Sequence, residues 1–356
     1  MVDGVADRSV TNSEIYWGTI LSLDAEKVME RARMSDAIDL AELIAGKTVL
    51  VTGASGFIGA HLCRRLAECD ATLHAVSRLP QYSKGERTRW WQADVSDPVA
   101  ARDLVKSVQP HILFHLASHV VGARKLDAVL PTFHGNLAST VHLLTEAAEI
   151  GCRRVVLAGS SEEPQLLDDT TFPCSPYAAA KWAGSMYGRM FYQLFQLPIV
   201  MPRIFMTYGP NQKDNKKLIP FVLLHLLRGE SPKLGSGLRR ADWIYVDDVV
   251  EGLLRSAVIP GIEGRAFDLG SGSLTSVREI VKNLIEITGS AVDPLFGTLP
   301  DRPFEQERSA DTSFMSNELG YYPRTSLKAG LESTVSWYRE QLDARVDQAR
   351  PPESVQ

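Results

Sequence analysis

A tyrosine and a lysine stand four residues apart in the stretch SPYAAAKWAGSMYG, which begins at Ser175. Positions i and i+4 share one face of a helix, so Tyr177 and Lys181 should lie together, with only alanines between them. An ammonium beside a phenol favours the phenolate, and we expect Lys181 to lower the pKa of Tyr177 from its usual value of about 10. The pair then predicts proton transfer to or from a substrate oxygen, as the interconversion of an alcohol and a ketone requires. The alternative is an exposed aromatic–lysine pair without chemistry.

A third candidate lies at the end of the preceding predicted strand, in LAGSSEE. The hydroxyl of Ser160 could bridge a substrate oxygen and Tyr177, although a serine at a strand end can also serve only as a cap. Glu163, three residues on, is interpreted as a solvated charge. Ser160, Tyr177 and Lys181 therefore predict a catalytic site formed by the end of this strand and by the helix that follows it.

Further upstream, TGASGFIG places glycines at Gly53, Gly56 and Gly59, between a predicted strand and a predicted helix. Glycine lets backbone N–H groups approach a pyrophosphate, and the helix N-terminus adds a favourable dipole. The alternative is a tight turn that uses glycine for backbone reasons alone. In this context the motif predicts a dinucleotide site. The contacts expected at the turn are Gly53, Ser55, Gly56, Phe57, Ile58 and Gly59.

The end of the second predicted strand bears on which dinucleotide binds. An NAD site usually offers a carboxylate there to the ribose, whereas an NADP site offers a cation. Here VSRLP presents Ser77 and Arg78 and no acid, which favours NADP(H) over NAD(H), although a solvent-facing arginine would look the same. Further cofactor contacts are expected from Asp94, Val95, Leu116, Ala117 and Ser118.

The elements that must position these residues alternate between strand and helix from Lys47 onward. Short apolar strands such as TVLVT and ILFH are separated by segments of helical periodicity such as FIGAHLCRRLAEC. This alternation is typical of an α/β fold whose parallel sheet is buried on both faces. After Gly209 the rhythm loosens, which predicts a smaller cap.

Composition and charge exclude several classes of function. A net charge of -5 argues against general nucleic-acid binding, and no apolar run approaches the roughly 20 residues of a membrane span. The eight histidines show no paired ligand spacing, so no metal is expected. The acidic, polar start lacks a signal-peptide pattern, and a cytoplasmic location is expected. Cysteines with neither disulfide nor metal spacing agree with that location: Cys63, Cys69, Cys152 and Cys174.

Taken in order, these motifs resemble the extended short-chain dehydrogenase/reductase family, in its nucleotide-sugar epimerase/dehydratase/4-ketoreductase group. The resemblance covers about Lys47 to Glu340 and also includes RIFMTYGPNQ, DWIYVDDVVEGL and ADTSFMSNELGYYPRTSLKAGL. It implies a Rossmann-type doubly wound parallel sheet that binds NAD(P), and a smaller C-terminal α/β cap that holds a nucleoside-diphosphate sugar. It also implies a homodimer built on the helices around Leu137 and Tyr177, and gives Ser160, Tyr177 and Lys181 the roles of the catalytic triad.

This interpretation divides the chain into four parts. They are an extension of unknown role (1–46), the NAD(P)-binding domain (47–202, with 243–270 returning to it), the cap (203–242 and 271–340) and a flexible tail (341–356).

The chain departs from the family pattern where the sugar nucleotide should bind. Met206 stands where the family usually has asparagine, and Ala241 stands where an arginine normally precedes the aspartate. Arg239, two residues before Ala241, lies on the same strand face if the segment is extended, and could substitute. The expected substrate contacts are therefore Met206, Arg239 and Arg302, with Arg308 as a further candidate for the diphosphate.

The resemblance leaves the reaction open. The strand end suited to NADP favours an NDP-4-keto-6-deoxyhexose 4-reductase, with an NDP-sugar 4-epimerase as the alternative. Glu162 stands where dehydratases have a glutamate, so a 4,6-dehydratase that uses Glu162 as base is a third hypothesis. A non-catalytic NADP(H)-binding regulatory scaffold is the fourth: Met206 and Ala241 favour it, and the intact catalytic residues oppose it.

Overall fold

The computed structural model describes residues 39–81, 88–120, 122–165 and 171–349, with side chains up to residue 344. Most of the predicted N-terminal extension, residues 1–38, and part of the segment before the tyrosine helix, residues 166–170, lie outside the described residues. The extension ends in a described helix whose Ile44 is fully buried in the core.

The described strands and helices alternate along most of the chain. The strands are β1 Thr48–Thr52, β2 Thr72–Ser77, β3 Thr88–Gln92, β4 Ile112–His115, β5 Arg154–Leu157, β6 Gly159–Ser160, β7 Ile199–Ile204, β8 Met206–Tyr208, β9 Arg240–Tyr245, β10 Ala266–Leu269 and β11 Leu274–Ser276. The α-helices are α1 Leu40–Ile44, α2 Phe57–Ala67, α3 Pro98–Val108, α4 Val129–Thr132, α5 Ser139–Glu149, α6 Pro176–Phe195, α7 Leu218–Leu227, α8 Val246–Val258, α9 Val277–Thr288, α10 Ser313–Asn317 and α11 Leu327–Ala349. A 3-10 turn, Leu126–Ala128, precedes α4, and a π turn, Phe133–Ala138, joins α4 to α5.

A parallel sheet forms the centre of the molecule, in the order β10-β7-β5-β4-β1-β2-β3, with β6 also pairing with β7. From β1 the chain first adds β2 and β3 on one side of the sheet, and then adds β4, β5, β7 and β10 on the other side. The strand order therefore reverses between β1 and β4. In open α/β sheets this switch point is where a ligand crevice opens beyond the carboxyl ends of the strands. The predicted α/β fold with a doubly wound parallel sheet is confirmed.

Helices cover both faces of this sheet because the strands are apolar on both sides. One face packs α1, α2 and α8 through residues such as Ile44, Leu62 and Leu253. The other face packs α3, α5 and α6 through residues such as Leu104 and Leu143. Such two-sided burial explains why the strands read as continuous apolar runs.

A smaller unit is built from the C-terminal third of the described residues. Its sheet has the order β11-β9-β8, with β9 antiparallel to β11 and parallel to β8, and it packs with α7, α9 and α11. The buried carboxylate of Asp248 ties the last part of the chain to α8, accepting hydrogen bonds from the Tyr321 hydroxyl and from the backbone N–H groups of Arg324 and Thr325. This anchor fixes the unit beside the carboxyl ends of the central strands.

Some element boundaries differ from the expectations. Residues 243–245 complete β9 in the small sheet, whereas α8 and β10 join the central sheet. Helix α11 continues to Ala349, beyond the boundary at 341 where the predicted tail begins. The short strands β8, β10 and β11 and the edge strand β3 were not predicted. They contain few alternating positions, and β3 carries the polar, partly exposed sequence TRWWQ.

Candidate active site

The glycine turn brings the end of β1 into direct contact with the end of β4. Gly53 has φ +69°, and a Cβ at this position would lie 2.7 Å from the backbone nitrogen of Ala117. A Cβ at Gly59 would lie 2.1 Å from the carbonyl oxygen of Gly53. Gly56 begins α2 without a side-chain cap, so no side chain at this position takes up the N–H groups of the first helical turn. These features fit a dinucleotide diphosphate, because its oxygens need exposed N–H donors and close backbone approach.

The end of β2 places a hydroxyl and a guanidinium beside this turn. Ser77 is buried and accepts a hydrogen bond from the hydroxyl of Ser55 at 3.0 Å, while Arg78 is exposed. Burial alone would raise the pKa of the Asp94 carboxyl, but hydrogen bonds from Ser96 and the charge of Arg78 outweigh it and lower that pKa. Neighbouring Val95 is buried in the core below. The predicted cofactor residues of β2 and of the loop after β3 thus lie at one end of the sheet.

The end of β4 is held by a buried chain of hydrogen bonds. His115 Nδ1 lies 2.8 Å from Thr52 Oγ1, and His115 Nε2 lies 3.1 Å from Thr140 Oγ1. Burial, helped by the charge of Lys181, lowers the pKa of His115 to about 3, so the imidazole is neutral at neutral pH. The backbone N–H of Ala117 donates to the same Thr52 hydroxyl at 3.3 Å. His115 therefore supports the loop from Leu116 to Ser118.

Asn136, which the sequence analysis missed, fixes the rest of that loop. Its buried side-chain oxygen accepts hydrogen bonds from Ser118 Oγ at 3.0 Å and from the N–H of His119 at 2.5 Å. Its side-chain nitrogen donates to the carbonyl of His119 at 3.3 Å. Asn136 lies in the π turn between α4 and α5, and no spacing rule for α-helices would have directed its amide to this loop.

The structure brings Ser160, Tyr177 and Lys181 together at the carboxyl ends of the central strands. Ser175 caps α6 by accepting a hydrogen bond from the N–H of Ala178 at 3.0 Å, which starts the helix just before Tyr177. The Tyr177 hydroxyl lies next to the side chains of Ser160 and Ser118. Lys181 Nζ donates to the carbonyl of Ala158 at 2.8 Å and lies 6.0 Å from the centroid of the Tyr177 ring.

The electrostatics of the tyrosine differ from our expectation. Burial raises the pKa of Tyr177, the neighbouring hydroxyl of Ser160 acts against this rise, and the charges of Glu162 and Glu163 add to it. Burial also lowers the pKa of Lys181 to about 8, against the opposing effect of Glu163. The prediction that the pKa of Tyr177 lies below its usual value is therefore wrong for this structure, because burial disfavours the charged phenolate and outweighs the neighbouring ammonium. At neutral pH the phenol is protonated and the lysine is charged.

Two glutamates follow Ser160, and the structure gives them different surroundings. Glu162 lines the cleft, where its Oε2 accepts a hydrogen bond from Ser175 Oγ at 3.1 Å. Glu163 is only 3% exposed, and its carboxylate accepts hydrogen bonds from the N–H of Ser160 at 2.7 Å and from Ser185 Oγ at 2.8 Å. Its interpretation as a solvated charge is wrong, because the turn after β6 directs Glu163 inward, against α6.

A cleft opens between the catalytic strand end and the small unit. Arg239 and Met206 both line it, and Arg239 Nε lies 3.0 Å from Glu305 Oε2. Arg302 has a side chain that is 64% exposed and contacts Glu305 at 3.8 Å from outside this lining. The residues that line the cleft include Arg124, Ser161, Glu162, Cys174, Ala241 and Arg308.

Arg308, the further diphosphate candidate, is engaged within the protein. Its guanidinium donates two hydrogen bonds to the buried carboxylate of Asp268 and one to the carbonyl of Ser161 at 3.3 Å. Arg203 Nε contacts the same carboxylate at 2.7 Å. Asp268 therefore lies between two guanidinium groups, and Arg308 links the small unit to the catalytic strand end.

Across residues 39–81, 88–120, 122–165 and 171–349, no group of three or more His, Cys, Asp or Glu side chains is arranged to hold a metal ion. Within the same described ranges, every helix is too short or too polar to cross a membrane.

Comparisons with known proteins agree with this geometry. The model of the NAD dependent epimerase/dehydratase family matches residues 49–270. A UDP-glucose 4-epimerase from Mycolicibacterium smegmatis is 32% identical, over 82% of this chain and 98% of its own length. A dTDP-glucose 4,6-dehydratase from the same organism is 30% identical, over 82% of this chain and 93% of its own.

A solved structure with the same fold has NAD+ and UDP bound. The Bordetella bronchiseptica enzyme WbmF in complex with NAD+ and UDP aligns with a TM-score of 0.72 and 25% identity, over 86% of this chain and 95% of that one. This chain is thus similar in sequence to enzymes named for reactions of nucleotide sugars, and similar in fold to one solved with NAD+ and UDP.

Proposed function

Because the chain belongs to the NAD-dependent epimerase/dehydratase family of extended short-chain dehydrogenases/reductases, we propose that it transfers hydride at C4 of a nucleoside-diphosphate sugar. It is an enzyme of the nucleotide-sugar epimerase/dehydratase type. The observation that supports the proposal most is the meeting of Ser160, Tyr177 and Lys181 at the carboxyl ends of the central strands, next to the cleft that Ser161 and Glu162 line.

Residues at the carboxyl ends of the central strands would hold a nicotinamide dinucleotide. Gly53, Gly56 and Gly59 would hold its diphosphate, and Ser77 with Arg78 would hold its adenosine ribose. Ser118, next to the Tyr177 hydroxyl, would lie near the nicotinamide ribose. When bound, the nicotinamide donates or accepts the hydride.

The side chains of the triad would handle the proton that accompanies this hydride. Tyr177 would donate its proton to the C4 oxygen on reduction of a ketone, and would accept it on oxidation of an alcohol. Ser160 would hydrogen-bond the same oxygen, since its hydroxyl already lies against that of Tyr177. Lys181, charged at neutral pH, would favour the phenolate left after proton donation.

For the direction of reaction we favour reduction of an NDP-4-keto-6-deoxyhexose with NADPH. A reductase consumes its cofactor, and the carboxylate-free end of β2 with an exposed Arg78 suits a 2'-phosphate. The second candidate is an NDP-sugar 4-epimerase that retains NAD, supported by the likeness to the UDP-glucose 4-epimerase. The third is a 4,6-dehydratase, for which Glu162 on the cleft wall would be the base.

Arg239 would bind the substrate diphosphate in place of the arginine that Ala241 replaces. It is half-buried in the cleft, and its guanidinium is paired with Glu305. A diphosphate would therefore compete with an internal carboxylate for this cation. Met206 would contact the substrate from the same wall, and Arg302 from the rim.

We also propose that two copies associate through the helices beside the site. On the stretch before α5, exposed apolar side chains recur at helical spacing at Leu126, Leu130 and Phe133. The neighbouring α6 exposes Met186 and Tyr187. Two adjacent helices with apolar stripes of this kind would match the same pair on a second copy, as a two-fold axis requires.

A substrate panel tests the function. Purified protein would be mixed with UDP-, dTDP-, GDP- and CDP-sugars, including 4-keto-6-deoxy forms, with NADPH, with NADH or without cofactor. A reductase oxidises NADPH only with the keto sugar, an epimerase interconverts hexoses without added cofactor, and a dehydratase forms a keto sugar from a hexose. Failure of every nucleotide sugar to bind or react would contradict the proposal and favour the regulatory scaffold.

A further inference from the structure

A buried carboxylate lies directly behind the catalytic strand. Glu163 Oε1 accepts the N–H of Ser160 at 2.7 Å, and Oε2 accepts the hydroxyl of Ser185 at 2.8 Å. Ser160 belongs to β6 and Ser185 to the middle of α6, two turns beyond Tyr177. One side chain thus connects the strand and the helix that carry the triad.

The backbone around the carboxylate is shaped to admit it. A Cβ at Gly159 would lie 2.6 Å from Glu163 Oε1, so only glycine leaves room for the side chain against the strand. The serine that follows can then present its N–H inward to Glu163 and its hydroxyl outward to Tyr177. The orientation of Ser160 consequently depends on this internal hydrogen bond.

The carboxylate also lies close to the one charged member of the triad. Lys181, which is 7% exposed, precedes Ser185 by one turn on the same face of α6, and its ammonium donates to the carbonyl of Ala158, two residues before Ser160. The hydrogen-bond partners of Glu163 and of Lys181 are thus neighbours along the chain, and the charge of Glu163 acts on the ammonium. The other titratable groups around the ammonium are His115 of β4, which is neutral, and the protonated Tyr177 of its own helix. Arg203 of β7 also acts on Glu163 but is paired with Asp268.

We propose that Glu163 is a positioning residue that orients Ser160 and acts as the buried counter-ion that keeps Lys181 charged. The proposal rests on the proposed function in assuming that Ser160 and Lys181 serve catalysis. A buried ammonium without a counter-charge would lose its proton more readily, because burial favours the neutral amine. Lys181 would then no longer stabilise the phenolate of Tyr177.

The test measures the ionisation of Lys181 itself, without turnover. Protein carrying 13C at the lysine Cε would be titrated by NMR, and the signal absent from K181M would be assigned to Lys181. In the wild type we expect a midpoint near pH 8. In E163Q, which keeps the shape and the acceptor oxygen for Ser160, we expect a midpoint lower by about one unit or more.

S185A is the matched control, because it removes a hydrogen bond from the same carboxylate but leaves the charge. Its Lys181 midpoint should stay at the wild-type value. Equal midpoints in E163Q and the wild type would overturn the proposal, whether or not a substrate has been identified.

If E163Q fails to fold, the double variant E163Q/K181M keeps the proposal testable. Removing both charges leaves no unpaired buried ion, so the double variant should fold where E163Q does not. A double variant that also fails to fold would overturn the role of Glu163 as the counter-ion.

Discussion

Among single residues, Glu305 determines how available the cleft is to an anionic ligand. It pairs with Arg239 at 3.0 Å and touches Arg302 at 3.8 Å, so it lies between the two arginines expected to meet a diphosphate. A ligand phosphate can engage Arg239 only by displacing or neutralising this carboxylate. The charge of Glu305 should therefore weaken nucleotide binding.

We expect E305Q to bind UDP about two- to fivefold more tightly than the wild type, the range expected for a partly exposed ion pair. Isothermal titration calorimetry at low salt measures this directly. E307Q is the matched control, because Glu307 pairs with the exposed Arg240 at 2.9 Å, and its affinity should remain unchanged. Equal or weaker binding by E305Q would show that Arg239 does not contact the nucleotide.

His115 makes stability depend on pH. Its folded pKa is about 3 against 6.5 in the unfolded chain, so between these values the unfolded state binds a proton that the folded state does not. Stability should fall as pH decreases from 6.5 towards 3, by up to about 1.4 kcal/mol for each pH unit. In H115Q this contribution should be absent from urea unfolding curves recorded across the window. H134Q, at an exposed position, should keep the wild-type slope; a slope unchanged in H115Q would contradict the assignment.

At the scale of elements, the contact between the ends of β1 and β4 sets the shape of the cofactor crevice. Gly53 and Gly46 share φ +69°, but only Gly53 meets other backbone atoms at the position of a Cβ. Comparing the alanine substitutions at these two glycines therefore separates the cost of backbone strain from the cost of a steric clash.

G46A should cost about 1–2 kcal/mol of unfolding free energy, the usual penalty of a left-handed alanine. G53A should cost at least about 1 kcal/mol more, because its Cβ would clash with Ala117, and it should also weaken binding of NAD(P)H. Chemical denaturation and fluorescence titration of the nicotinamide measure the two effects. Equal stability losses in the two variants would contradict the close packing of the turn.

The sequence predicted the elements that follow a simple period. Strands β1, β2, β4, β5 and β7 are mostly apolar and buried, and the Tyr177–Lys181 pair follows directly from helical spacing. The positions of Glu163 and Asn136 could not be predicted, because a tight turn and a π turn, and not a regular period, direct their side chains. The direction of the Tyr177 pKa shift could not be predicted either, because burial depends on the whole fold and outweighs a neighbouring charge.

At the scale of the whole molecule, the proposed dimer would cover an apolar surface beside the active site. Leu130 is 66% exposed at the centre of that surface. L130E should convert a dimer to a monomer, because two buried carboxylates would face each other across the two-fold axis. Light scattering after size-exclusion chromatography should give twice the mass of one chain for the wild type and the mass of one chain for L130E. L43E, at an exposed leucine of α1, should remain dimeric, and a monomeric wild type would refute the proposed interface.

The most direct test of C4 chemistry follows deuterium between C4 of the nicotinamide and C4 of a nucleotide sugar, in the wild type and in Y177F. The sugar would be the one that reacts in the substrate panel. A 4-keto sugar would be supplied with NADPH deuterated at C4 of the nicotinamide and should gain the label, whereas a hexose deuterated at C4 should pass its label to the nicotinamide, and mass spectrometry would detect the label in either product. We expect transfer in the wild type and in Y187F, a matched tyrosine on the exposed face of α6, and a rate at least about 100-fold lower in Y177F with nucleotide binding retained. Transfer at an undiminished rate in Y177F, or turnover without any transfer of label between the nicotinamide and C4 of the sugar, would contradict proton transfer by Tyr177 coupled to hydride transfer at C4.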